Sequence, residues 1–274
     1  MEQFQGKVCM VTGAASGLGR ALCEELGHEG ASVIAVDINE AGAAKVEELI
    51  CSESGQACSF KLDVSQFENF DHLIGQIVEK FDHIDCIFNN AGIAVSGEMS
   101  DLAYEHWKKV LDVNLMGAIF GTLSAYKLMV RQGFGHIVNI SSLAGLIGYP
   151  MNCPYATAKF GVVGLSTSLR QEAIKFGVNV SVVCPGYLDT NIFEASEIIN
   201  ADKQKVLDSL PYNLMNPSAA AREILSGVIK NKAYIVFPLY AKFLWLLYRI
   251  HPILLQPLGK RSVKEFRLAK LAAG

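Results

Sequence analysis

The stretch KVCMVTGAASGLG, residues 7–19, joins a short strand pattern to a glycine-rich turn. Residues 7–12 form a mostly apolar run of strand length, and a helical pattern follows over residues 20–28. Glycines between a strand and a helix permit a tight turn, and they let backbone N–H groups at the positive end of the helix approach a pyrophosphate. Many strand–helix connections need glycine, however, so the turn alone is a weak signal.

An acidic residue further along the chain strengthens the prediction of a phosphate-binding turn. Asp37 ends the next apolar run, residues 32–37, and lies eighteen residues after Gly19. A carboxylate at that point can accept hydrogen bonds from the ribose of an adenosine. The turn and the acid together predict a dinucleotide-binding site.

Strand and helix patterns alternate along most of the chain, with no linker or repeat between them. The predicted strands cover residues 7–12, 32–37, 56–63, 84–89, 136–140, 179–183 and 233–237. The predicted helices cover residues 20–28, 40–52, 66–80, 104–131, 155–176, 194–209 and 217–230. Alternation of this kind favours a Rossmann-type, doubly wound α/β fold with a seven-stranded, mostly parallel sheet and helices on both faces. We predict a single catalytic domain over residues 1–236, with residues 237–274 as a C-terminal extension.

Composition limits the function classes. The chain has 274 residues, 51% of them hydrophobic, with a formal net charge of -3 and a pI near 6.1, so a nucleic-acid partner is not expected. Its seven cysteines form no CxxC pair, and neither they nor the six histidines show metal-ligand spacing. We therefore predict free thiols in the cytoplasm and no metal site. A strand at residues 7–12 also leaves no room for a signal peptide.

Tyr155 and Lys159 lie four residues apart, so on a helix their side chains are neighbours. Pro154 suits the first turn of that helix. A nearby ammonium and the positive helix end both favour the phenolate, which suggests a tyrosine tuned for acid–base chemistry. The alternative is an ordinary exposed helix pair. Residues 135–140 argue against it, because this buried-strand pattern delivers Ser141 and Ser142 just before the helix.

These motifs, in this order, resemble the short-chain dehydrogenase/reductase family, of the type termed "classical". The resemblance covers roughly residues 5–235. It is carried by TGAASGLG at residues 12–19, NNAG at 89–92, Asn114, Ser142, Tyr155, Lys159 and the Pro185-Gly186 pair. Tyr155 lies thirteen residues after Ser142, and this family spacing selects Ser142 over Ser141.

The resemblance implies a role for each motif. Tyr155 would exchange a proton with the substrate oxygen, Ser142 would orient that oxygen, and Lys159 would hold the nicotinamide ribose while lowering the pKa of Tyr155. Asn114 would bind a water that passes protons outward, unless it merely satisfies backbone groups in a bent helix. Asp63 would contact adenine, unless it caps the following helix. The implied cofactor-binding residues are Gly13, Ser16, Gly17, Leu18, Gly19, Asp37, Asp63, Val64, Asn90, Ala91, Gly92, Tyr155, Lys159, Pro185, Gly186, Leu188 and Thr190.

Cofactor and substrate class can be argued further. Asp37 would repel a 2′-phosphate, and neither Ser16 nor Ile38 supplies a positive charge for one, so NAD(H) is preferred over NADP(H). The segments expected to flank the nicotinamide, residues 94–96, 143–153 and 187–193, contain no lysine or arginine. An apolar alcohol or ketone (a steroid, retinoid or long-chain alcohol) fits them, with Ser142, Leu143, Met151 and Tyr155 as substrate contacts. These loops could also be apolar because they pack.

Two other functions stay open. One is an NADPH-dependent 3-oxoacyl-acyl-carrier-protein reductase, which Asp37 disfavours. The other is a family member kept as a binding or scaffold protein without catalysis, which usually lacks the tyrosine or lysine. The resemblance also suggests a homodimer or homotetramer built on the helices at residues 104–131 and 155–176, where Ala156, Gly161 and Gly164 would allow close packing.

The resemblance does not cover the C-terminal extension. It is rich in aromatic residues at 237–250, and from Lys242 onward it holds seven Lys/Arg against the single Glu265. Its uncharged stretches are shorter than the roughly twenty apolar residues of a membrane-spanning helix. Apolar bulk with clustered cations is typical of a segment lying on an anionic membrane surface. The alternatives are that the extension closes the substrate pocket or forms a subunit interface.

Overall fold

The computed structural model describes residues 3–208 and 214–270. Its strands, in chain order, are β1 (Val8–Thr12), β2 (Ser32–Asp37), β3 (Gln56–Lys61), β4 (Cys86–Asn89), β5 (Val95–Ser96), β6 (Gly135–Ile140), β7 (Val178–Pro185), β8 (Glu197–Ile198) and β9 (Tyr234–Phe237). Seven of them form one parallel sheet in the order β3-β2-β1-β4-β6-β7-β9. The predicted fold class is therefore confirmed.

Helices cover both faces of this sheet. They are α1 (Gly17–His28), α2 (Glu40–Ser52), α3 (Phe67–Phe81), α4 (Tyr104–Leu111), α5 (Gly117–Gln132), α6 (Cys153–Ala173), α7 (Ile192–Ala195), α8 (Lys203–Asp208), α9 (Pro217–Ile229), α10 (Leu239–Ile250) and α11 (Gln256–Leu268). Apolar side chains of α1, α2 and α9 pack into one core cluster, and those of α3, α5 and α6 into another. Because both sheet faces are buried, the strands read as nearly continuous apolar runs.

The strand order reverses between β1 and β4. From β1 the chain proceeds outward to β2 and β3, then returns to β4 on the other side of β1. In a doubly wound sheet the loops at the carboxyl ends of the strands diverge at such a point and leave a crevice. The glycine-rich turn after β1 and the Asn90–Gly92 segment after β4 meet there.

Two predicted helices are interrupted. The helix predicted at residues 104–131 is α4 and α5 joined by one π-helical turn, Asp112–Met116. The helix predicted at residues 194–209 was wrong as a continuous element, because β8 pairs with β5 in a second small sheet and separates α7 from α8. Ser209, its predicted end, lies outside the described residues. A positive φ of 55° at Asn200 is also incompatible with a continuing helix.

The helical run Tyr104–Gln132 is long and apolar enough, by length and mean hydropathy (1.3), to cross a membrane. Half of its most apolar window is buried inside the protein. Ala125, Leu128 and Met129 of this run belong to a core cluster beneath the sheet. It therefore has the character of a core helix of a globular domain.

Candidate active site

One large cleft opens at the carboxyl edge of the sheet, with a volume of about 1640 Å³. Every residue that the sequence analysis assigned to the cofactor lines it: Gly13, Ser16, Gly17, Leu18, Gly19, Asp37, Asp63, Val64, Asn90, Ala91, Gly92, Tyr155, Lys159, Pro185, Gly186, Leu188 and Thr190. The four proposed substrate contacts, Ser142, Leu143, Met151 and Tyr155, line it as well. The structure thus brings together residues that are spread over most of the chain.

The glycine-rich turn has the shape that a pyrophosphate requires. Gly13 adopts φ +69°, and a Cβ there would lie 2.9 Å from the Cα of Ala91. A Cβ on Gly19 would overlap the carbonyl oxygen of Gly13. Ser16 precedes α1 in an extended conformation, and its side chain makes no capping hydrogen bond to the helix. The first N–H groups of α1 are therefore open to the cleft, and the turn fits a dinucleotide.

Thr12 fixes this turn against the loop after β4, a role that sequence reasoning did not assign. Its Oγ1 accepts hydrogen bonds from the backbone N–H groups of Asn90 (3.0 Å) and Ala91 (3.1 Å). The Asn90 side chain returns a bond to the Thr12 carbonyl oxygen at 2.9 Å. The signal was available, because a buried threonine that ends a strand needs a partner for its hydroxyl.

Asp37 lies where the sequence placed it, at the end of β2 beside the turn. One carboxylate oxygen accepts a hydrogen bond from the Ala15 N–H at 2.9 Å, and the other accepts from the Asn39 N–H at 2.8 Å. Each oxygen keeps further lone pairs that can accept from a ribose hydroxyl. The neighbouring Ile38 is 63% exposed at the cleft rim. Asp37 therefore presents a fixed negative charge at the edge of the cleft.

Tyr155 and Lys159 share one face of α6, but their electrostatics differ from the prediction. Lys159 is buried, and its Nζ donates to the Ile140 carbonyl oxygen at 2.9 Å, lying 5.5 Å from the Tyr155 ring centroid. Burial lowers the pKa of Lys159 to about 8. Burial also raises the pKa of Tyr155, while a side-chain hydrogen bond with Ser142 acts in the opposite direction. Desolvation thus outweighs the expected lowering in this structure, and Lys159 is not among the groups that shift the pKa of Tyr155.

The two serines after β6, Ser141 and Ser142, make different contacts. Ser142 meets the Tyr155 hydroxyl and lines the cleft. Ser141 is buried and donates its hydroxyl to the Lys159 carbonyl oxygen at 2.8 Å. The spacing argument that selected Ser142 agrees with this geometry, and Ser141 instead ties β6 to the backbone of α6.

Asn114 and Asp63 both bond to nearby protein groups, but Asp63 does not cap the following helix, because the N-cap residue of α3 is Gln66. Asn114 lies in the π-helical turn, and its side-chain amide both donates to the Ile93 carbonyl oxygen and accepts from the Ile93 N–H, each at 2.8 Å. It does not line the cleft, although a Cβ on Gly92 would sit 3.3 Å from its Oδ1 and 3.6 Å from the Lys159 Nζ. Asp63 accepts bonds from the N–H (3.0 Å) and hydroxyl (2.7 Å) of Ser65. Asp63 still faces the cleft.

The C-terminal extension, residues 237–274, forms part of the cleft wall. Side chains of α10, α11 and the turn between them line the cavity, among them Tyr240, Leu244, Tyr248, Leu255 and Phe266. Leu244, Trp245, Tyr248 and Leu255 pack against the cluster that holds Leu143, Leu146 and Ile147. Met151 packs instead against the cluster around Phe266. The extension therefore does contribute to the pocket, which the sequence had left as one of three alternatives.

Tyr240 of the extension contacts the loop after β7 directly. Its Oη accepts a hydrogen bond from the Tyr187 N–H at 2.6 Å. A Cβ on Gly186 would overlap the same oxygen, so only glycine leaves room for it. Tyr187 in turn lies near the rings of Tyr149 and Phe193, with centroid distances of 6.3 and 6.0 Å. An aromatic wall thus continues from the predicted nicotinamide segment to the extension.

Besides Lys159, three cations of the described residues line the cleft, all outside the segments expected to flank the nicotinamide: Lys109, Lys205 and Arg261. Lys109 pairs with Glu197 at 3.3 Å. Arg261 pairs with Glu265 at 2.7 Å. The charge of two of the three is therefore already balanced by a carboxylate.

Comparison with known proteins identifies the family. A family model described as short chain dehydrogenase matches residues 7–199. The chain is 34% identical over 271 residues to "Putative oxidoreductase SadH" of Mycobacterium tuberculosis, with 97% of this chain and 98% of the relative covered. It is 30% identical over 234 residues to the 3-oxoacyl-[acyl-carrier-protein] reductase FabG of Thermotoga maritima, covering 85% and 94%. A short chain dehydrogenase/reductase from Burkholderia phymatum in complex with NAD has the same fold, at TM-score 0.81, 24% identity, and coverage of 100% and 99%. The chain accordingly belongs to the short-chain dehydrogenase/reductase family and is an oxidoreductase.

Proposed function

We propose that this oxidoreductase interconverts an apolar secondary or long-chain alcohol (a steroid, retinoid or lipid-like molecule) and its carbonyl, with NAD(H) as cofactor. The observation that carries the proposal is the composition of the cleft. Ser142, Tyr155 and Lys159 line it together with aromatic and aliphatic side chains of the substrate loops and the extension. A pocket of this kind suits a substrate with one polar oxygen and an apolar body.

The roles of the side chains follow from this arrangement. A bound nicotinamide cofactor would supply the redox chemistry, taking a hydride from the carbinol carbon of the alcohol or giving one to the carbonyl carbon of the ketone. In oxidation, Tyr155 takes the hydroxyl proton of the substrate, and in reduction it returns a proton to the carbonyl oxygen. Ser142 bonds to the same oxygen and to Tyr155. Lys159 would hold the nicotinamide ribose. Asn114, which fixes the Ile93 backbone beside Gly92, would bind a water that passes protons outward.

The preference for NAD(H) rests on Asp37. Its carboxylate is held at the cleft edge by two backbone N–H groups, at 2.9 and 2.8 Å, so it cannot easily turn away. A ribose 2′-hydroxyl can donate to this carboxylate, whereas a 2′-phosphate would be repelled by it. Ile38 beside it offers no positive charge to compensate.

A cofactor-coupled absorbance screen tests the proposal. The purified protein would be given NAD with a series of apolar alcohols, and NADH with the matching ketones, and absorbance at the NADH band would be followed. We expect turnover that rises with the apolar size of the substrate. Activity confined to small polar alcohols, or equal activity with NADP, would contradict it.

A second candidate is favoured by one comparison, the 30% identity to a 3-oxoacyl-[acyl-carrier-protein] reductase. Such an activity would require NADPH and a basic docking face for the carrier protein. Besides the buried Lys159, three cations line the cleft, and of these Lys205 alone forms no ion pair within residues 3–208 and 214–270. An assay with NADPH and a 3-oxoacyl thioester separates the two candidates. A non-catalytic binding role remains a third hypothesis, and the presence of Ser142, Tyr155 and Lys159 in one cleft speaks against it.

Two further proposals concern assembly and location. We propose a homodimer or homotetramer built on α5 and α6, where Leu123 and Phe160 are each 41% exposed and Gly164 is open. Gly161 serves packing within the protomer instead, since a Cβ there would lie 2.7 Å from Leu115. We propose a cytoplasmic location, supported by seven free cysteines, with peripheral contact to an anionic membrane through the extension.

A further inference from the structure

Helix α10 and the turn that follows it carry an unusually apolar outer surface. Leu239, Phe243, Leu246 and Ile250 repeat at helical spacing on one side of α10 and are 79%, 58%, 53% and 67% exposed. Ile253, Leu254 and Leu258 extend the exposed apolar surface into the turn and the start of α11. We call these seven residues the outer apolar face. Single exposed apolar residues are ordinary, but a continuous set of this size marks a contact surface.

The other side of the same helix forms part of the catalytic cleft. Tyr240, Leu244 and Tyr248 line the cavity, and Ala241 is fully buried between the helix and the domain. Leu255, between Leu254 and Gln256, also lines the cavity. Helix α10 and the turn after it therefore carry the outer apolar face on one side and part of the wall of the substrate cavity on the other.

Positive charge flanks the face. Lys242 and Arg249 are seven residues apart and project from one side of α10 beside Phe243 and Ile250. Both are exposed, and neither forms an ion pair within the described chain, Arg249 lying instead 5.4 Å from the Trp245 ring. Lys260 and Lys264 of α11 are also exposed and lack a carboxylate partner among the described residues. Glu265, the extension's acid, is paired with Arg261 at 2.7 Å.

We propose that the outer apolar face docks on an anionic lipid surface, with Phe243, Leu246 and Ile250 in the acyl boundary and Lys242 and Arg249 at the headgroups. A second copy of the chain is the less favourable occupant. A two-fold interface would place the same surface, with the cations Lys242 and Arg249, on both partners, and residues 237–270 offer no unpaired carboxylate side chain to compensate. Anionic headgroups supply that compensation.

Docking of this kind would also set the route of the substrate. A lipophilic alcohol would leave the membrane beside α10 and reach Tyr155 through the cleft wall, without crossing bulk water. This part rests on the proposed substrate class, whereas the docking itself does not. Binding and turnover must therefore be measured separately.

Vesicle sedimentation with the full-length protein tests the docking. The vesicles would be phosphatidylcholine alone, or phosphatidylcholine with about one third phosphatidylglycerol. We expect partitioning onto the anionic vesicles only, and weaker partitioning as salt increases. Lys242→Gln combined with Arg249→Gln is expected to reduce the partition coefficient about thirtyfold at low salt, taking the effect of each cation near the surface together. Replacing two exposed lysines elsewhere, Lys45→Gln with Lys230→Gln, gives the matched charge control.

A second pair of variants tests whether the apolar side chains insert into the lipid. Ile250→Glu should abolish partitioning, whereas Ile174→Glu, at a position of nearly equal exposure (68% against 67%) on the far part of the domain, should leave it unchanged. Substitutions are preferable to truncation, because removal of the extension would also remove Tyr240 and Leu244 from the cleft. Both variants should keep the parent's circular dichroism spectrum and melting temperature.

Several outcomes would overturn the docking proposal. They are equal sedimentation with neutral and anionic vesicles, no sedimentation with either, and an equal loss of vesicle binding in Ile250→Glu and Ile174→Glu. A halved molar mass of Ile250→Glu in analytical ultracentrifugation would assign the face to a second copy instead. If docking holds, turnover of a vesicle-borne alcohol should fall in Ile250→Glu while turnover of a water-soluble alcohol stays unchanged. Docking without turnover of any apolar alcohol would contradict the proposed function and leave the docking intact.

Discussion

Replacing Lys159 by methionine should stabilise the fold while it removes activity. Lys159 is only 4% exposed, and within the part of the chain that the structure describes its ammonium has one hydrogen bond, to the Ile140 carbonyl oxygen. Burial lowers its pKa from 10.5 to about 8. A difference of this size corresponds to roughly 3 kcal/mol of free energy by which the fold disfavours the charged form. Methionine has a similar shape and carries no charge, so it avoids that penalty.

The net gain should be smaller, because the Ile140 carbonyl oxygen loses its donor, at a cost of about 1 kcal/mol. We therefore expect the free energy of unfolding to rise by about 1–3 kcal/mol near pH 7, and the melting temperature by several degrees. The sign of the pH dependence follows from linkage. Between the folded pKa near 8 and the unfolded value of 10.5, the unfolded chain binds more protons at this site, so the penalty of the parent disappears as pH rises. The advantage of the variant should thus be largest below pH 8 and should shrink toward pH 10.5.

Chemical denaturation without added nucleotide, at several pH values from 6 to 10, measures this difference. Comparison with Lys45→Met, at an exposed lysine, corrects for general effects of the substitution. A variant that is less stable than the parent at pH 7, or an advantage that does not change with pH, would refute the argument that desolvation dominates at Lys159.

Three other predictions concern the cleft. Tyr155→Phe should lower kcat by about a hundred- to ten-thousandfold, because the phenolic proton is needed in the transition state, while NAD affinity measured by fluorescence titration stays within a few-fold. Asp37→Ala should narrow the ratio of kcat/KM between NAD and NADP, and an unchanged ratio would remove the ribose role from Asp37. Tyr240→Phe leaves the Tyr187 N–H without its acceptor, so we expect the free energy of unfolding to fall by about 1 kcal/mol and the KM for substrate to rise. Tyr104→Phe, at a 72% exposed tyrosine, is the control. An unchanged KM in both variants would show that Tyr240 of the extension takes no part in substrate binding.

The sequence predicted the sheet and the cofactor edge well because both depend on local signals. Strand runs such as residues 32–37 are apolar, and the glycines after β1 are needed by the turn itself. Most of the predicted cofactor residues end a strand of the parallel sheet or follow one closely, so the topology alone brings them to the same edge; Tyr155 and Lys159 come from α6.

Other features depend on contacts between distant residues, which no local pattern reveals. The pKa of Tyr155 was predicted from its neighbour Lys159 four residues away, whereas burial by the rest of the fold decides its direction. The break in the helix predicted at residues 194–209 comes from the pairing of β8 with β5, about a hundred residues earlier. Tyr240 contacts Tyr187 across 53 residues of sequence, so its place in the cleft could not be assigned from spacing.

The sequence of the extension reflects two separate contacts, one with the substrate cavity and one on its outer side. A helix that is apolar on every side is normally buried on every side. Helix α10 has apolar side chains toward the cleft at Leu244 and toward the domain at Ala241, which explains two of its faces. Its third face, with Leu239 at 79% and Ile250 at 67% exposure, has no partner among the described residues. Pocket closure alone would allow polar residues there at no cost to packing. The apolar outer side therefore calls for a separate contact, and the unpaired charges of Lys242 and Arg249 make an anionic lipid surface the contact that satisfies both.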